Sequence, residues 1–150
     1  MDTTAILALN RAHEAETAPM SAADLATFAA MAFHVGLADE GRDGFLIALE
    51  QGAAYGSPNY TWFATRHPRF VYVDRIIVSP HARGKGVARH LYAGLAEAAR
   101  AAGHALICCE VNLDPPNPES LAAHQALGFL EVGRRRLPNG KLVAYFELAV

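Results

Sequence analysis

The sequence predicts one α/β domain, an α+β arrangement with a mixed sheet, over residues 1–150. Three observations predict it. Residues 70–78, FVYVDRIIV, form a β-branched and aromatic run of strand type. From Gly84 to Ala102 the apolar residues Val87, Leu91, Leu95, Ala98 and Ala102 recur at helical spacing, and Gly103 stops the pattern. Residues 105–111, ALICCEV, then form a second strand. A strand–helix–strand crossover makes its two strands parallel and neighbouring.

The remaining elements are placed in order around that unit. Residues 4–9, TAILAL, read as a first strand. Ser21 to Asp24 resembles a capping signal before a helix carrying Leu25, Phe28, Met31 and Ala32. Phe45–Leu49 is a short strand after Gly44. Residues 51–69 are aromatic and turn-rich, and a short helix is expected near Pro58. After the prolines at 115, 116 and 118, a helix runs to about Leu127 and ends at Gly128. Residues 129–136 and 142–149 close the sheet as two strands joined by a Pro138-Asn139-Gly140 turn.

The composition sets limits. The chain has 150 residues, 52% hydrophobic and 19% charged, with a formal net charge of -2. A domain of about this length buries roughly 68–70% of its unfolded surface, so no disulfide or metal staple is required. The charge gives no drive toward nucleic acid or an anionic membrane. The opening residues show neither a basic leader nor a long apolar stretch, so no membrane partner is expected and a cytoplasmic location is. Cys108 and Cys109 are adjacent in an apolar run and are expected as reduced core thiols. No two histidines are spaced as a helical metal pair, so no metal site is expected. His34, His81, His90 and His104 are read as surface or capping residues, and Arg134–Arg136 as a solvated edge. Tyr55, Tyr60, Trp62 and Phe63 are candidates for core packing or for lining an acceptor pocket.

The strongest local signal is Arg83-Gly84-Lys85-Gly86-Val87-Ala88, which follows a strand and opens a helix. Glycine at 84 and 86 removes side chains where a ligand would approach. The unpaired N–H groups of a first helical turn and the helix dipole make an anion site there, to which Arg83 and Lys85 add charge. The run lacks the third glycine of a dinucleotide loop and the G-K-[ST] ending of a P-loop.

Arg83, Gly86 and Ala88 fit the pattern [RQ]-x-x-G-x-[GA], and Asn117, Ser120, His124, Gly128 and Phe129 fit N-x-x-[SA]-x-x-x-[YH]-x-x-x-G-F. With the strand carrying Asp74, Ile76 and Val78 before them, these motifs resemble the GNAT acetyltransferase family over roughly residues 70–136. The resemblance implies a sheet whose two central strands splay apart, with acetyl-CoA as acyl donor entering the gap. It assigns the donor to Ile77, Val78, Arg83, Gly84, Lys85, Gly86, Val87, Ala88 and Asn117. It implies direct attack of a primary amine, of a small molecule or a peptide, on the thioester. A homodimer is compatible with it.

The reaction needs a base for the amine, a donor to the oxyanion and a proton for the leaving thiolate. The Val78 N–H is the donor the resemblance implies. Asp74, taken to share a strand face with Val78, and Glu110 on the partner strand are both candidate bases. His124 stands where the family often has tyrosine and is the candidate acid, provided its pKa stays near about 6.5. The segment Asn-Leu-Asp-Pro-Pro between Val111 and Asn117 lengthens the family's usual gap and is expected to reshape the acceptor pocket. The rival readings are a non-catalytic acyl-CoA sensor and an enzyme using another acyl-CoA.

Overall fold

The computed structural model describes residues 1–150. Its helices are α1 (Thr3–Ala12), α2 (Ala22–Met31), α3 (Pro58–Ala64), α4 (Val87–Ala101) and α5 (Pro118–Ala126). Its strands are β1 (His34–Ala38), β2 (Gly44–Glu50), β3 (Val71–Val78), β4 (Leu106–Asp114), β5 (Leu130–Arg136) and β6 (Leu142–Ala149). They form one six-stranded sheet in the order β1-β2-β3-β4-β6-β5. Only the β3–β4 pair is parallel.

Most expected elements are present, and the capping box at Ser21 and Asp24 is complete. The expected strand at 4–9 is instead part of α1. The Asp2 carboxylate accepts the Ala5 N–H and caps the helix, and Ile6 and Leu9, three apart, face the core. The edge strand β1 was not anticipated. Its residues are half-buried throughout, which leaves no alternation to read. His104, expected as a surface or capping residue, donates its backbone N–H to the Ala99 carbonyl at the end of α4, but its side chain is buried, with Nε2 2.8 Å from Glu50 and its ring edge-on to Phe33.

Two layers cover the sheet. Leu91, Tyr92, Leu95, Ala96 and Ala99 of α4 pack on Leu46, Val71, Val73, Ile107, Cys109 and Val111. The opposite face carries two clusters, one built with α1 and α2 and one with α3. Cys108 faces α3, Cys109 faces α4, and both are buried free thiols. Burial raises both thiol pKa values, so neither is a ready nucleophile.

One irregularity sets up the site. Ile47 pairs with Arg75 while Ala48 pairs with Val73, so Asp74 is an extra residue bulged out of β3. Alternation changes phase there. Val71 and Val73 face α4, but beyond the bulge it is Ile76 that packs on that side, while Ile77 packs toward α1 and α2. Val78 pairs with Gly44, on the face of Leu46. Asp74 points the other way, to Tyr55, so it does not share a face with Val78 as unbroken alternation required.

Candidate active site

β3 and β4 pair only at Val71–Ile107 and Tyr72–Cys108. Beyond these residues they part, and β4 keeps its other edge on β6 up to Asp114. The splay opens a cavity of about 980 Å³, lined on one side by residues 72–78 and on the other by Cys109–Asn112. The start of α4, the face of α5, Tyr55, Asn59 and the 137–141 turn complete its wall.

The unpaired edge of β3 can be assigned group by group. Ser79 donates its N–H to Asp43, on the β2 side, and the Ile77 carbonyl faces Gly44. Backbone groups alternate along a strand, so Ile76 and Val78 turn theirs into the splay. Val78 is therefore where the sequence placed it, but its companion is Ile76. The backbone of Ile77 is committed to β2, although the residue still borders the cavity.

At the mouth, Gly84 and Gly86 both have positive φ, 77° and 76°, and a Cβ on either would meet nothing within 4 Å. The first helical bond of α4 runs from His90 N–H to the Gly86 carbonyl, leaving the N–H groups of Val87, Ala88 and Arg89 without helical partners. This combination of open space and free donors fits a pyrophosphate. Arg83 lies beside it, 3.0 Å from Glu119 and 3.2 Å from His13 Nε2. Gly84, Val87 and Ala88 line the cavity, whereas Lys85 is exposed and not part of its lining. Asn117 also lines it, with its Oδ1 occupied in capping α5 through the Ser120 N–H. Within the segment 112–116, residues up to Asp114 extend β4, and Asn112 donates to the Glu16 carbonyl, so the loop after α1 crosses the opening.

The two candidate bases differ in their surroundings. Asp74 accepts a hydrogen bond from the Tyr55 hydroxyl on one oxygen and faces Arg75 Nε at 3.3 Å on the other. The Arg75 contact lies within ion-pair range without hydrogen-bond alignment, and Arg75 is held instead by Asn10 and the Ala18 carbonyl. Burial raises the Asp74 pKa against the pull of Tyr55 and Arg75. Glu110 accepts from the Tyr72 hydroxyl at 2.7 and 2.8 Å and from Asn59 Nδ2 at 3.1 Å. Burial pushes its pKa up to about 7, with Tyr72 and Asn59 opposing. A carboxylate there is ionised in part at neutral pH and basic enough to take a proton.

His124 is buried on α5. Its Nδ1 lies 2.7 Å from the Ser120 carbonyl, which only an N–H satisfies, so Nε2 accepts from the Tyr92 hydroxyl at 2.6 Å. Burial holds its pKa below the ordinary histidine value, contrary to the condition set for an acid. With Glu110 raised and His124 lowered, ionised Glu110 together with protonated His124 is the minor state at every pH.

The sequence does not mark Tyr72, Asn59 or Tyr92, and it places Ile76 on the central strand without a part in holding the donor. Tyr72 is two residues before Asp74 on the same strand, and Asn59 follows the helix-starting Pro58, but neither has a motif to mark it. Among the loop aromatics, Tyr55 lines the cavity, whereas Tyr60 and Phe63 are core and Trp62 stacks on Tyr145.

The sequence profile of the Acetyltransferase (GNAT) family matches residues 9–129, and the chain belongs to that family. A comparison with curated proteins returned no match. Among solved structures, the fold is similar to the NatC complex bound to Gag peptide and CoA (TM-score 0.70, 16% identity, 99% of this chain and 90% of that one). It is similar to the ribosomal-protein-S18-alanine N-acetyltransferase from Escherichia coli (0.68, 20%, 99% and 87%). It is also similar to an N-acetyltransferase from Staphylococcus aureus Mu50 (0.69, 22%, 99% and 92%). The free edge of β3 and the donors at the start of α4 fit acetyl-CoA as the acyl donor of this family.

Proposed function

We propose that the protein transfers an acetyl group from acetyl-CoA to a primary amine of a small molecule or peptide, by direct attack with Glu110 as base. The observation that carries this reading is Glu110 itself, facing the splay with only two donors on its carboxylate. A carboxylate offers about four lone-pair sites, so sites remain for the amine. Asp74 has both oxygens engaged by Tyr55 and Arg75 and is read as an anchor of the acceptor wall.

Acetyl-CoA supplies the thioester carbonyl. Ile76 and Val78 hold the arm through the backbone, and the Val78 N–H is the oxyanion donor in this reading. Arg83 and the residues from Gly84 to Ala88 hold the pyrophosphate, with Asn117 and α5 closing the far side. Glu110 takes one proton from the amine as the new C–N bond forms and the C–S bond breaks. The thiolate leaves as an anion, because an ordinary thiol has a pKa of about 8.5 and needs little help to depart. His124 holds the Tyr92 hydroxyl in place and is not the proton donor.

His124→Phe should therefore lower kcat by less than tenfold, and cost about 1–3 kcal/mol of stability by leaving the buried Tyr92 hydroxyl unpaired. A loss of about 10²–10⁴-fold in kcat, partly restored by His124→Tyr, would instead make His124 the acid. The reaction itself is tested by release of free thiol from acetyl-CoA with a panel of small amines and of peptides with free N-termini. At least one amine should raise thiol release above hydrolysis and appear acetylated by mass. Tight binding of acetyl-CoA without turnover on any amine would favour a sensor.

A further inference from the structure

Asn59 lies in the first turn of α3 and joins two strands. Its Nδ2 donates to Glu110 on β4, and its Oδ1 accepts the hydroxyl of Tyr145 on β6 at 2.9 Å. An ionised carboxylate only accepts, so the amide must present its NH2 to Glu110 and its oxygen to Tyr145. Tyr145 is itself fixed. Its ring is buried and stacks on Trp62 at 4.1 Å and 17°. Trp62 depends in turn on a glycine in β5, since a Cβ at Gly133 would come within 2.9 Å of its ring. A continuous line of contacts thus runs from the edge strand through Trp62, Tyr145 and Asn59 to the base.

We infer that Asn59, oriented by Tyr145, is a positioning residue for the reaction, holding Glu110 by Oε1 so that Oε2 is left toward the acceptor. The inference rests on Glu110 being the base. It gives α3 a part in the chemistry beyond walling the pocket. Tyr72 cannot do this alone, because its single hydroxyl proton lies between both carboxylate oxygens and selects neither.

Other titratable groups lie close enough to couple to Glu110. They are Tyr72 and Asp74 from β3, Tyr55 from the loop after β2, Tyr92 from α4, Tyr145 from β6 and the neighbouring Cys108 and Cys109. The tyrosine and cysteine pKa values are all raised, so these groups stay neutral where Glu110 titrates, and Asp74 is the other carboxylate beside it. Asn59 donates to the ionised form of Glu110. Removing it disfavours that form, so the titration must move to higher pH.

The test reads Glu110 directly and then through the rate. The carboxyl ¹³C resonance of Glu110, assigned by its disappearance in Glu110→Gln, is followed against pH in the wild type, Asn59→Leu and Tyr145→Phe. Asn59→Leu should raise the midpoint, and Tyr145→Phe should raise it less. The ascending limb of kcat/KM for the amine should move by the same interval. Below the limb, the rate should fall about tenfold for each pH unit by which the midpoint rises. KM for acetyl-CoA should be unchanged. Tyr145→Phe keeps the ring on Trp62, so it serves should the leucine variant fail to fold. An unchanged midpoint in the folded variants overturns the inference, whatever the rate does. A midpoint that moves while the limb stays fixed overturns the assignment of Glu110 as base.

Discussion

Glu110→Gln should lower kcat/KM for the amine by about 10²–10⁴-fold, the usual cost of losing a general base. Glutamine keeps the size of the side chain and can still accept from Tyr72 and Asn59, so the local packing should survive. What it loses is the basic oxygen. In the wild type that oxygen must be ionised, and its pKa is about 7, so activity should climb with pH through neutrality and level off above it. The variant should show no such limb, while its affinity for acetyl-CoA stays near that of the wild type. Asp74→Asn is the comparator. Asp74 borders the cavity, but its oxygens meet Tyr55 and Arg75, so its loss should act mainly through KM for the amine. Equal losses of kcat in the two variants would assign the base role to the pair.

The second large effect is expected at the cofactor mouth. Gly86→Glu should weaken acetyl-CoA binding at least about 100-fold, because a like-charge contact costs several kcal/mol. Gly86 is the N-cap of α4, and space is open around it. A carboxylate at a helix N-terminus is favourable for the helix, which offsets part of the strain of a side chain at positive φ. The variant should therefore fold, with its own anion where pyrophosphate belongs. Gly86→Ala carries the same φ strain without the charge and should keep most of the affinity. Calorimetry on both separates charge from strain. Full affinity in a folded Gly86→Glu would remove the pyrophosphate from this turn.

The parts of the fold legible in the sequence are those with a strong local period. The apolar face of α4 repeats over 15 residues, and β3 and β4 are rich in β-branched and apolar residues, so the crossover unit could be read directly. The segment TAILAL failed because a short apolar run has no period of its own, and the cap that decides it, Asp2, lies outside the run. The mouth of the site was legible because glycines and charges mark a local turn. Its chemistry was less so. The bulge at Asp74 lies in a strand whose two faces both carry large apolar residues, so nothing in the letters shows the change of phase that exposes Ile76 rather than Ile77. The contacts of Asn59 with Glu110 and Tyr145 span 51 and 86 residues, and no spacing rule connects positions so far apart. The lowered pKa of His124 likewise comes from burial beside Tyr92, 32 residues earlier in the chain.

The proposed reaction is direct transfer from the donor to an amine poised at Glu110. Its sharpest test is a rapid-quench single turnover with enzyme in excess over acetyl-CoA, measuring free thiol and acetylated amine in the same samples. Direct attack predicts no thiol release before the amine is added, then thiol and amide appearing together in equal amounts at one rate. It also predicts an unmodified enzyme mass throughout, since Cys109 beside Glu110 is buried and its pKa raised. A stoichiometric burst of thiol without amine, with the acetyl group found on the enzyme, would contradict direct attack.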